Sequence, residues 1–268
     1  MQPDTLIPDL SNPQSWNRYS YVTNRPVNFS DPSGHRACDG GSYECQFTNS
    51  SKNSSPPPPE EALKKTITDK YLVNISGAWT LTGLKQLSAT LDAYSNAVGG
   101  EDQLNYLFQD VTGGVGITFL FDPTNDKNIK AACENTSNPG HACWDHGKNM
   151  IEIDAYAFSN DYFQEYFSGG GQTRPKSLGL NNLSSSNQVT IAHEITHALV
   201  DANPQSLESY NRISSWRASG ATFFYPTSPS EESMATSLAI FVVSGGKDYP
   251  GHSDLTSTAS TIFQYFSK

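Results

Sequence analysis

The run His193-Glu194-Ile195-Thr196-His197 sets two imidazoles four residues apart, with a carboxylate beside the first. On a helix, residues at that spacing project from one face on adjacent turns, so two ring nitrogens can meet one zinc ion at about 2.1 Å each. Glu194, next to the first ring, then reaches a water on the metal rather than the metal itself. Zinc lowers the pKa of such a water towards 7. A carboxylate alongside takes the proton as the water attacks a carbonyl, then delivers it to the leaving amine. These residues point to metal-assisted hydrolysis, with His193 and His197 as ligands and Glu194 as general base and acid. The bland alternative is an ordinary helix carrying two surface histidines.

The flanking sequence predicts the helix this chemistry needs. Ser185 and Gln188 form a capping-box pattern ahead of Val189-Thr190-Ile191-Ala192, and Pro204 lies just past the expected end, giving about four turns. Asp201 falls four residues after His197 and eight after His193. It therefore shares their face, where it can accept a ring N–H from a ligand histidine. A catalytic zinc also needs a third protein ligand and an open fourth position. The stretch from Ser230 to Phe241 offers one: it reads as a helix that Ser230 can cap and Gly245-Gly246 can end, with Glu231 and Glu232 in its first turn. A helical wheel puts the centre of its apolar face, Met234, Ala235, Leu238 and Val242, nearer Glu231. Both glutamates are also simply what the helix dipole favours at that end.

The segment His193-Glu194-Ile195-Thr196-His197-Ala198-Leu199-Val200-Asp201 resembles the active helix of thermolysin-type gluzincins, in which such an aspartate holds a ligand from behind. No histidine or aspartate follows at metzincin spacing, because Val200 and Asn203 stand at the relevant positions. The resemblance implies Zn2+ as cofactor and a zincin-like α+β fold, a mixed sheet plus the active-site helix. Glu232-Ser233-Met234-Ala235 is similar to the Glu-x-x-Ala helix of that family, which implies Glu232 as the third ligand, against Glu231 from the wheel. Tyr225, seven residues before Glu232, is similar to a tyrosine in the lethal-factor branch that donates a hydrogen bond to the oxyanion. Its other reading is a packing aromatic.

Several elements must hold these residues. Leu84, Leu87, Leu91 and Val98 recur at helical spacing between Thr82 and the stop at Gly99-Gly100. The runs 116–121 and 150–154 are short and rich in β-branched or aromatic residues and predict strands, the second with Ile151 and Ile153 on one face and Glu152 and Asp154 on the other. By the same resemblance, the strand at 150–154 is the edge of the zincin sheet, onto which an extended peptide substrate pairs. No repeat of about 20 to 50 residues recurs, which argues against a solenoid or propeller.

Bulk properties narrow the partners. Lys+Arg 17 against Asp+Glu 27 gives a net charge of -10, which repels phosphate backbones, so nucleic acid is not expected as a partner. No stretch reaches the roughly 20 apolar residues of a membrane span, and Met1-Gln2-Pro3-Asp4 lacks the apolar core of a signal peptide. The cysteines form two local pairs, Cys38 with Cys45 and Cys133 with Cys143, each able to close a short loop in an oxidising destination. A metal cluster of Cys133, His141, Cys143 and His146 is the competing reading, at a spacing that matches no familiar zinc pattern.

Residues 48–61 are polar, of low complexity and end in polyproline, which reads as a linker. Before it, Asn17-Arg18-Tyr19, Tyr21-Val22, Asn24, Pro26-Val27 and Asp31-Pro32-Ser33-Gly34 resemble the end of the repeat-associated core of Rhs/YD-repeat proteins. The expected organisation is a core tail at 1–36, a linker at 37–62 and a zincin-like metallopeptidase domain at 63–268. The resemblance implies a variable C-terminal cargo, here a secreted or delivered proteolytic toxin acting on a protein or peptide, with room for an immunity protein as partner. Two alternatives stay open: a non-catalytic binding module that keeps a structural zinc, and a zinc amidohydrolase acting on a non-peptide amide.

Overall fold

The structure is a computed structural model that describes residues 29–30, 38–39, 57–136, 139–166, 179–212, 230–246 and 254–266. The chain divides into two compact units, Met1–Pro57 and Pro58–Lys268. In the first, β1 (Phe29–Ser30) and β2 (Cys38–Asp39) pair antiparallel, across the expected boundary between core tail and linker.

The second unit is α+β. It opens with α1 (Pro59–Tyr71), so residues expected to finish the linker form the first turn of a helix. Pro59 has no N–H to lose there, Glu60 and Glu61 suit the positive end of the dipole, and Ile67 and Tyr71 enter the core. Then follow β3 (Asn74–Gly77), α2 (Leu81–Val98), α3 (Glu101–Val111), β4 (Thr118–Asp122), β5 (Ala142–Asp145), β6 (Met150–Asp154) and α4 (Asn160–Tyr166). The unit continues with α5 (Leu183–Ala202), α6 (Gln205–Arg212), α7 (Ser230–Val243) and α8 (Asp254–Phe266). Helix α2 matches its sequence pattern closely: the Thr80 hydroxyl accepts from the Gly83 N–H at 3.1 Å, and Gly99 ends the helix at a φ of 107° that favours glycine.

The sheet runs β3-β4-β6-β5, with β3, β4 and β6 parallel and β5 antiparallel to β6. This corrects one expectation. The strand at 150–154 is interior, flanked by β4 and β5, and the edge is Ala142–Asp145. A tight turn through His146–Lys148 and the left-handed Asn149 folds β5 back along β6. At the other edge, Gly77 (φ 85°) cannot be replaced freely, because a Cβ would lie 2.2 Å from the Phe121 carbonyl oxygen.

The polar face of β6 is not a solvated one. Glu152 and Asp154 are both buried. Glu152 accepts from the Cys133 N–H at 2.7 Å and from Lys148 Nζ at 3.0 Å, while Asp154 accepts from the Ala157 N–H at 3.0 Å and pairs with His141 Nδ1 at 2.7 Å. A Cys133–Cys143 disulfide ties this loop to β5. That is one of the two expected pairs and removes the alternative metal cluster, whose His141 and His146 are engaged elsewhere. For the other pair, Cys45 lies outside the described residues. Among the described residues no helix is long and apolar enough to cross a membrane.

Candidate metal centre

Helix α5 runs through the middle of the second unit, against α7, α2, α3 and β5. It begins one turn earlier than the sequence suggests. Asn182 is the N-cap: its Oδ1 accepts from the Ser185 N–H at 2.9 Å, and the Ser185 hydroxyl accepts from the Asn182 N–H at 3.4 Å. Asparagine is among the strongest N-caps, and Ser185, Ser186 and Asn187 are buried, which keeps this first turn formed. Asn187 Nδ2 donates to Gln86 Oε1 of α2 at 3.0 Å. The helix ends at Ala202, with Asn203 as C-cap ahead of Pro204.

Tyr94 of α2, fully buried, fastens the stretch of α5 that carries the motif. Its hydroxyl donates to the Ala192 carbonyl at 2.7 Å and is hydrogen-bonded to the Thr196 hydroxyl. These are the residues just before His193 and His197. The hydrogen bonds therefore set the rotation of α5 from its back, while the two imidazoles face α7.

On that front face three donor atoms converge. His193 Nε2 and His197 Nε2 lie 3.1 Å apart, His193 Nε2 is 3.1 Å from Glu232 Oε2, and His197 Nε2 is 3.6 Å from Glu232 Oε1. Atoms held about 2.1 Å from one centre at tetrahedral angles would lie about 3.4 Å apart. The observed separations fall on either side of that value, and two imidazole nitrogens with one carboxylate are a donor set suited to zinc. Among the described residues this is the group of His, Cys, Asp and Glu side chains whose geometry could hold a metal ion.

Glu231, the alternative ligand, is on the other side of the His197 ring, with its Oε1 2.8 Å from Nδ1. The Thr236 hydroxyl lies 3.2 Å from His193 Nδ1. The helical wheel misjudged this helix because α7 has no single apolar face. Met234 through Ile240 are all buried, so the helix is enclosed on every side and its polar first turn, not the wheel, sets which glutamate meets the histidines.

The electrostatics follow from this crowding. Burial disfavours charge on His197, but hydrogen bonds to Glu231 and Glu232 outweigh it and push the ring up to about 10. Glu231 is held below the usual carboxylate range by its hydrogen bond to His197, and Glu232 well below it by those to His193 and His197. A metal ion entering this site would take the place of the proton that His197 shares with Glu231 and Glu232. Glu194, 6% exposed, lies near enough to His197 to favour its charge and has no hydrogen-bond donor among the described residues.

Asp201 differs from expectation. Its Oδ2 accepts from Trp144 Nε1 at 2.6 Å and lies 3.2 Å from His146 Nδ1, so it fastens the edge strand to the end of α5 rather than supporting His193 or His197. At four and eight residues past His197 and His193 it stays near their face, but Trp144 of β5 and His146 just after it reach the carboxylate first. Tyr225 lies outside the described residues, as do His35 and His252. Sequence reading missed Thr236 and Tyr94, since a threonine inside a buried helix and a tyrosine about a hundred residues upstream carry no local mark of a site. No protein family model matches the chain, and the comparisons with curated proteins and with solved structures found no match.

Proposed function

We propose that the second unit is a zinc-dependent endopeptidase. The observation that carries this reading is the convergence of His193 Nε2, His197 Nε2 and the Glu232 carboxylate beside a buried Glu194 that has no hydrogen-bond donor among the described residues. Bound by those three residues, zinc would supply Lewis acidity towards a water molecule and a carbonyl oxygen. The chain's own part is to orient and to move protons. His193 and His197 are neutral when they bind metal, held by hydrogen bonds at Nδ1. Glu194 takes a proton from the attacking water and returns it to the leaving amine, a task favoured by its burial and by the lack of another donor among the described residues.

The resemblance of residues 17–34 to an Rhs core tail extends the proposal to a toxin or effector delivered through that system, with a protein substrate. The test compares the wild-type chain with Glu194→Gln in a zinc-supplemented lysate, mapping new protein termini by mass spectrometry. New termini should appear with wild type and fall about 10²- to 10⁴-fold in the variant, at equal zinc content. Matching lysates with zinc bound in both would sink the peptide-cleaving claim.

A further inference from the structure

We propose that Glu231 and Thr236 are positioning residues which fix the tautomers of His197 and His193, so that α7 contributes one metal ligand and both of the groups that aim the other two. The proposal rests on the metallopeptidase reading and deepens it. An imidazole presents a lone pair at Nε2 only when Nδ1 carries the proton, and an acceptor at Nδ1 is what holds the proton there and stops the ring turning over.

Both rings meet this condition from the same helix. His197 Nδ1 faces Glu231 Oε1 at 2.8 Å and His193 Nδ1 faces the Thr236 hydroxyl at 3.2 Å, while the two Nε2 atoms face each other at 3.1 Å. Glu232 lies between, on the Nε2 side of both rings. Glu232 and Thr236, four residues apart, share the side of α7 next to His193, and Glu231 is turned towards His197. Because Glu231 meets the nitrogen opposite the point of convergence, it supports a ligand rather than serving as one.

The arrangement also explains why Asp201 is free for another task. The hydrogen bond expected of it is made by Glu231, and its own carboxylate joins Trp144 and His146. Assembly of the centre then depends on a single interface. When α7 docks on α5, the third ligand and both ring supports arrive together; if α7 shifts, all three leave together.

The experiment measures zinc dissociation constants by chelator competition, and histidine tautomers by ring ¹⁵N shifts, in the full chain. The variants are Glu231→Ala, Glu231→Gln, Thr236→Val and Glu232→Gln. Glu231→Ala should keep one zinc per chain but weaken it about 10- to 100-fold, with His197 losing its uniform Nδ1–H tautomer. Glu231→Gln keeps an acceptor oxygen and should recover most of that loss, which a general packing role would not produce. Thr236→Val should act on His193 in the same way, and Glu232→Gln should weaken zinc more than any of them. Wild-type affinity with an unchanged His197 tautomer in Glu231→Ala would overturn the proposal. So would loss of zinc in Glu231→Ala with retention in Glu232→Gln, since Glu231 would then be the ligand. A wild-type chain that binds no zinc would instead remove the metal centre on which it rests.

Discussion

Two groupings of histidine and carboxylate sit in the second unit and are put to opposite uses. At His141 a single ring meets a single carboxylate, Asp154, which is fully buried and also accepts the Ala157 N–H at 3.0 Å and the Ala131 N–H at 3.4 Å. The ring packs against Tyr156, with centroids 4.6 Å apart, and against Tyr162 at 6.2 Å. The disulfide closes the loop over it. Both Asp154 oxygens and the ring Nδ1 face a partner, so the pair acts as a structural fastening. Between α5 and α7, two rings turn the same nitrogen towards one carboxylate, and a further buried carboxylate, Glu194, stands by without a donor among the described residues. Convergence and surplus capacity, more than residue type, separate a candidate metal centre from a buried histidine–carboxylate hydrogen bond.

The comparison can be broken most sharply by exchanging losses between the two groupings. Glu232→Gln should weaken zinc by more than the roughly 100-fold upper figure for an outer partner, read by chelator competition. His141→Ala should leave zinc affinity as it is but strand the Asp154 carboxylate in the interior, which costs about 3 kcal/mol of stability in urea unfolding. If His141→Ala weakened zinc as much as Glu232→Gln, the distinction would fail.

A smaller effect sharpens it through pH. The folded His197 value of about 10 is above its unfolded one, so its contribution to the metal-free protein is fully present below about 6.5 and lost as pH rises through about 10. Glu231 and Glu232 are depressed, so theirs is present above about 4.5 and lost as pH falls through their folded values. Metal-free stability should decline from pH 7 to 10, while zinc affinity rises about tenfold per pH unit as the metal displaces one proton. Calorimetric titrations in buffers of different ionisation enthalpy would count that proton, and a count of zero would contradict the ion-paired site. The smallest effect expected is that of Tyr94→Phe. The Thr196 hydroxyl still donates to the Ala192 carbonyl at 3.0 Å, so the loss should be about 1 kcal/mol in urea unfolding, with one zinc still bound.

Much of the framework could be read along the chain. The spacing of Leu84, Leu87, Leu91 and Val98 marks α2, the β-branched runs mark β4 and β6, and the cysteine spacing marks the observed disulfide. Strand β5 was missed because Ala142-Cys143-Trp144-Asp145 shows no apolar alternation, all four residues being half-buried at a sheet edge. The family resemblance implies that β6 is the edge, and β5 takes that place instead. The start of α5 was misplaced because Asn182 and Ser185 can each cap a helix, and only packing on α2 selects the earlier one.

The same division holds at the site. His193, Glu194 and His197 are legible because a helix turns a spacing of four into a shared face, whatever lies around it. Which carboxylate meets them is not, because Glu232 is 39 residues from His193 and its neighbour Glu231 is chemically identical. Helical periodicity and capping act between near neighbours and are written in local residue types. The side of α7 that faces α5, and the strand that claims Asp201, are settled only when the core closes around both helices.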